Sequence, residues 1–113
     1  MQDERDMVAR DVLWNGIVSQ LRSQLASKEA SGELEQTHLD EPLRNELTMT
    51  AKGGYLSVWL DADTGKGSWN VITDKLQVAE PWFMSTDGKV QLSGQKMDIA
   101  GVVNEFVQKI SPG

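Results

Sequence analysis

From Leu47 to Thr73 the chain alternates apolar and polar side chains and breaks that alternation only at turns containing Gly. Leu47, Met49 and Ala51 alternate with Thr48 and Thr50; Leu56, Val58 and Leu60 alternate with Tyr55, Ser57 and Trp59. After the loop from Asp61 to Gly67, Trp69, Val71 and Thr73 alternate with Ser68, Asn70 and Ile72. A period of two sends successive side chains to opposite faces of a strand, and Val, Thr, Tyr and Trp suit a pleated, half-buried surface. The stretch predicts an antiparallel meander, with Lys52-Gly53-Gly54 as its first turn. Amphipathic helices elsewhere in the chain then need its apolar face as cover.

A fourth run begins at Leu76 and meets Pro81, which has no N–H to give a ladder and so predicts an edge or a bulge; Trp82, Phe83 and Met84 continue beyond it. Asp87-Gly88 reads as a hairpin turn into Val90 and Leu92. Four or five antiparallel strands are expected over residues 47–93.

Two helices flank the sheet. Over residues 3–31, Met7, Trp14, Ile17, Val18, Leu21 and Leu25 recur at helical spacing, with Asp3, Glu4 and Asp6 at the N-terminal end and Ser31-Gly32 as a stop. Gly16 is out of place there, since a mid-helix Gly costs about 1 kcal/mol against Ala, and close packing on the sheet is the expected reason. Over residues 98–110, Ile99, Val102, Val103, Phe106, Val107 and Ile110 form one stripe behind Asp98 as cap, and Ser111-Pro112-Gly113 ends the helix. Between the first helix and the sheet lies an acidic connector, residues 32–46. Mobility is expected over residues 31–38, and Asp40-Glu41-Pro42-Leu43 resembles the start of one short helical turn. The fold class is α+β in a single domain over residues 1–113: a long N-terminal helix, an antiparallel meander sheet, and a C-terminal amphipathic helix packed on it.

At 113 residues such a domain can bury one core, and without Cys it does so with neither disulfides nor thiolate chemistry. The charged N-terminal segment has no apolar run of the length a signal peptide or membrane span needs, so a cytoplasmic protein is expected. The net charge of -6 is uneven: residues 1–46 carry ten acids against five bases, and the remainder carries seven acids against six Lys. No basic cluster is present to attract phosphate, which argues against nucleic acid and anionic membranes as partners.

Motifs with chemical potential are few. Asp61-Ala62-Asp63-Thr64-Gly65 opens like a calcium loop, but the twelfth position, where a carboxylate is required, is Ile72. Gly65-Lys66-Gly67-Ser68 lacks the upstream Gly of a phosphate-binding loop, and strands flank it where a helix should follow. Glu35 and His38 have the spacing of two metal ligands on a helix, yet His38 is the only His in the chain. Neither a metal site, a cofactor nor a catalytic residue is assigned. Asp61 with Asp63, or Glu80 with Asp87, remain available as a carboxylate acid–base pair.

The aromatic residues point further. Trp14, Trp59, Trp69 and Trp82 outnumber the two Phe. If Trp59 pairs directly with Trp69 across a loop centred on Thr64, then Tyr55, Trp59 and Trp69 form a wall on one sheet face, an apolar patch for a protein partner or a second copy. A one-residue slip would instead turn Trp69 and Val71 into the aliphatic face. The other arrangement weighed places one helix on each face, with every Trp in the core. These readings predict a non-enzymatic binding or adaptor module acting through protein contacts or self-association, with Tyr55, Trp59 and Trp69 as the binding residues. Two alternatives stand beside it: an apolar small molecule in a Trp- and Met-lined pocket between sheet and helix, and a carboxylate-based enzyme.

Overall fold

The computed structural model describes residues 2–111, and side chains from Arg5 onward. Asp3 and Glu4 as helix-dipole partners, and Pro112-Gly113 as the chain's end, lie outside that description. The elements run α1 (Gln2–Ser31), β1 (His38–Leu43), β2 (Glu46–Ala51), β3 (Gly54–Leu60), β4 (Lys66–Thr73), β5 (Gln77–Met84), β6 (Val90–Leu92), β7 (Gln95–Met97) and α2 (Ile99–Ile110). The strands form one antiparallel sheet in sequence order, a pure meander. The α+β class and the element order agree with the sequence reading, with seven strands where four or five were expected.

The two additional strands are the edges. Asp40-Glu41-Pro42-Leu43 is part of β1 and not a helical turn, because Leu39 lies opposite Met49 and is drawn into the core. Pro42 falls where the β1–β2 register shifts, between Asp40 and Leu43, which is where a strand tolerates a missing donor. At the far edge, Ser93 and Gly94 both adopt positive φ, 52° and 77°, and turn the chain into the three residues of β7. Pro81 sits within β5, in the part of that strand that extends beyond its pairing with β6.

The connector is tied down. Thr37 donates to Glu29 Oε1 through both its N–H, at 2.8 Å, and its hydroxyl, at 2.7 Å. Lys52 N–H donates to Glu35 O, and Leu34 is buried against the end of α1.

Both helices cover the same face. Trp14, Ile17, Val18, Leu21 and Leu25 of α1 and Val102, Val103, Phe106, Val107 and Ile110 of α2 join one core with the inward residues of the sheet. Gln24 Nε2 of α1 donates to Asn104 Oδ1 of α2 at 2.9 Å, so the helices lie side by side. Asp98 caps α2 by accepting from Gly101 N–H at 2.9 Å. Each of these apolar side chains contributes about 1.5–3 kcal/mol by leaving water, against a few tenths for a surface pair on the helix, so packing on the sheet decides where the helices sit.

Arg10 is the one buried charged residue among those described. Its Nε donates to Met84 O at 2.9 Å, and one guanidinium nitrogen donates to Ala62 O at 3.1 Å and Asp63 O at 3.0 Å. The loop between β3 and β4 is thereby pinned to α1 and to the end of β5. Nearby, Trp82 lies opposite Gly67 and sends its indole N–H to Trp59 O at 3.0 Å. A Cβ on Gly67 would stand 2.2 Å from Trp59 O and 2.5 Å from that indole nitrogen, so only Gly permits the crossing. Gly16 differs from expectation: a Cβ there meets nothing within 4 Å, so close packing does not account for it.

These contacts set the direction of two stability changes. Gly67→Ala is expected to lower the unfolding free energy by about 2 kcal/mol or more through overpacking, while Gly16→Ala raises it by about 1 kcal/mol, both read from denaturant midpoints. The Thr37 hydrogen bonds hold the Glu29 carboxyl below the ordinary carboxylate range, so the stability they supply is present at neutral pH and is lost as pH falls through that depressed value. In an NMR titration the Glu29 carboxyl should protonate after freely exposed Glu residues as acid is added, and the Thr37 amide shift should follow it.

Candidate functional site

Direct cross-strand partners share a face, so the register maps the uncovered side of the sheet. One row reads Thr50, Tyr55, Ile72 and Gln77; the next reads Thr48, Ser57, Asn70 and Ala79; the third reads Glu46, Trp59, Ser68 and Pro81. Lys66 stands beyond Ser68 at the start of β4, opposite Phe83. The two central strands contribute unequally. β3 presents two aromatic rings separated by Ser57, whereas β4 presents Ser68 and Asn70 with Ile72 at one end.

Tyr55 is 36% exposed, Trp59 47% and Ile72 39%, values that place all three side chains in water on this outer face. The expected aromatic wall is only partly formed. Trp59 pairs with Ser68 and Trp69 with Val58, one residue away from the register that would set the two indoles opposite each other. Trp69 is therefore on the inner face and 3% exposed. Tyr55 and Trp59 remain together outside, and Trp69 is a core residue whose ring carries the Lys109 ammonium 4.3 Å from its centroid.

The physical reason is the loop. Asp61 N–H donates to Lys66 O at 2.8 Å and Gly65 N–H to Asp61 O at 2.8 Å, which closes the hairpin with Leu60 opposite Gly67. That pairing is one residue short of a loop centred on Thr64. Gly65, at φ 82°, takes the left-handed conformation and brings its backbone beneath the Arg10 guanidinium.

The same geometry bears on the other motifs. Asp61 Oδ1 accepts from Asp63 N–H at 3.0 Å, a local turn contact, and the carbonyls of Ala62 and Asp63 point at Arg10. A guanidinium thus takes the place that a loop-bound cation would need. His38 is exposed beside Asp40, and Glu35 is exposed beside Lys52 at 3.4 Å, so the pair does not share a helical face. Among the described residues no group of three or more His, Cys, Asp or Glu converges on a common metal position. Three carboxyls, Glu29, Glu33 and Asp87, are held below the ordinary range, each by hydrogen bonds to its ionised form from Thr37, Lys28 and Ser85 respectively.

The space between sheet and helices is occupied by the side chains that would have lined an apolar pocket. Trp14 and Trp82 stand 6.3 Å apart, centroid to centroid; Trp82 meets Phe106 edge-on at 5.9 Å; Met49 and Met84 are fully buried. A concavity of about 730 Å³ opens instead at the end of the sheet, where Glu33, Glu35 and Asp74 mix with Lys52, Lys75 and Lys109. Its charges nearly cancel, and it is open to solvent.

Comparison of the chain with protein-family models, with curated proteins and with solved structures finds no match in any of the three. Among the described residues no helix is long and apolar enough to cross a membrane.

The split between the two indoles has a direct test. Trp59→Ala is expected to change the unfolding free energy by no more than about 1 kcal/mol, and Trp69→Ala to lower it by about 3 kcal/mol or more. Equal losses in urea titrations would contradict the register.

Proposed function

We propose that this chain is a non-enzymatic binding module that recognises a protein partner through the uncovered face of its sheet. The reading rests on the placement of both helices on one side, which leaves Tyr55, Trp59 and Ile72 in water on the other. A single exposed apolar residue needs no explanation, but aromatic residues arrayed on a regular sheet face form a patch. Tyr and Trp bury large areas at small entropic cost, and Ser, Thr and Asn between them supply adaptable hydrogen bonds; this mixture suits a hydrated, reversible protein interface. The Trp59 main chain is also anchored from behind, since its carbonyl accepts the Trp82 indole N–H. A partner therefore meets a platform already in place and loses little free energy in ordering it.

The two alternatives have less support. An apolar ligand between sheet and helix would compete with the Trp and Met side chains packed there. Carboxylate acid–base catalysis calls for a carboxyl raised toward neutrality in a cleft, whereas Glu29, Glu33 and Asp87 are all shifted downward.

A photo-crosslinking residue in place of Trp59, and in a second variant in place of Ser23 on the exposed side of α1, tests the proposal in a lysate of the native cells. The expected result is a discrete protein adduct, of a second copy or of another protein, from position 59 and none from position 23. Equal labelling at both positions, or none at 59, would overturn it.

A further inference from the structure

We infer that the partner of the outer face is a second copy of this chain, stacked face to face about a two-fold axis that runs parallel to the strands between β3 and β4. The inference rests on the protein-binding reading above and names its partner. A two-fold interface must be self-complementary, each patch meeting its own image. This face meets that condition in shape. Tyr55 lies beside Ile72, Ser57 beside Asn70 and Trp59 beside Ser68, so an axis between the strands exchanges the members of each pair. In the dimer Trp59 of each copy stands over Ser68 of the other, and Tyr55 over Ile72. At the Trp59 end a bulky side chain meets a small one twice, and at the Tyr55 end two apolar side chains meet twice.

Charge follows the same symmetry. Glu46 flanks Trp59 on β2, and Lys66 extends β4 beyond Ser68. Neither makes an ion pair among the described residues. The two-fold operation carries Glu46 of one copy to the side of Lys66 of the other, twice over, and sets each Lys66 beside the other copy's Trp59 ring.

Extent sets the strength. Four central strands of six to eight residues, at about 4.8 Å spacing and about 3.3 Å rise per residue, give a face of roughly 450 Å². That is below the roughly 800 Å² per partner of a standard stable interface, so the dimer is reversible and depends on concentration. Pairing through the sheet edges is the competing route, and both edges oppose it. β1 is broken by Pro42 and its register shift, and β7 has three residues.

Sedimentation velocity of the purified chain over a wide concentration range tests the inference, with Glu46→Lys and Lys66→Glu as variants and far-ultraviolet circular dichroism as the folding control. The wild type should pass from monomer to dimer, less so at high salt, and each variant should dimerise about tenfold more weakly. An equimolar mixture of the two should restore dimerisation as a heterodimer. In it the lysine introduced at position 46 faces the glutamate introduced at position 66, while the unaltered Lys66 and Glu46 face each other at the second contact; with one variant uniformly labelled with heavy nitrogen, native mass spectrometry would resolve the species by mass. A mixture that dimerises no better than its components overturns the inference. A wild type that stays monomeric overturns it as well, while a discrete adduct of a different protein at position 59 would leave the binding reading standing. A dimer insensitive to both charge variants and to Trp59→Ala would lie elsewhere on the molecule and would overturn the inference, leaving the binding reading to the crosslinking result at position 59.

Discussion

The Arg10 guanidinium braces the β3–β4 loop in the conformation that accompanies the observed register, and it does so by donating to backbone carbonyls. It joins three separate parts of the chain: α1, the loop from Ala62 to Asp63, and Met84 at the end of β5. A buried charge is costly unless its hydrogen bonds are made, and here the carbonyl dipoles make them. The loop it holds closes with Leu60 opposite Gly67, the pairing from which the rest of the β3–β4 register follows. Since side chains alternate with period two, this one choice decides that Trp69 and Val71 face the helices and Trp59 faces out.

Given that register, the cover of the inner face follows from length. α1, with 30 residues at about 1.5 Å rise, is about 45 Å long and comparable to the 46 Å long axis of the molecule. It runs along the inner face with its apolar stripe toward the sheet, and α2 fills the remaining width beside it. Gly54 permits the second helix to close in, since a Cβ there would stand 3.0 Å from Ile110 O. Among the described residues no helix remains for the outer face, and the arrangement with one helix on each side does not form.

The elements with strong periodicity were legible from residues alone. α2 with its Asp98 cap, the buried stripe of α1 and the alternation of β2, β3 and β4 all needed only local pattern. Register was a different matter, because the β3–β4 loop is long enough to close in two ways that differ by one residue. The loop as it closes is held by Arg10, a side chain that lies 52 and 74 positions away from carbonyls it binds and that reads as an ordinary solvated position on a helix. Of the three residues expected to bind, Tyr55 and Trp59 lie on the outer face, and the observed register places Trp69 in the core. The edge strands were hidden by different causes. Asp40-Glu41-Pro42 has the residue types of a helix start, and only its pairing with β2 makes it a strand; β7 is too short to show a period, although Ser93-Gly94 carries the turn signal that announces it. For Gly16 nothing in the structure supplies a reason.

A sheet open to water on one side risks indiscriminate association, and the distribution of features here confines that risk to the face. Unpaired N–H and C=O groups at an edge would recruit any strand without regard to side chains, but β1 is interrupted by Pro42 and carries Asp40 and Glu41, and β7 has only three residues, Lys96 among them. On the face itself the backbone groups are already paired within the meander, so a partner gains nothing from main-chain hydrogen bonds and must match side chains. In the proposed binding role Tyr55 and Trp59 would supply the area, and Ser57, Ser68 and Asn70 would penalise any partner that buries them without hydrogen bonds. On the proposed reading, the hydroxyl and amide groups that make the patch less apolar are also what would make it selective.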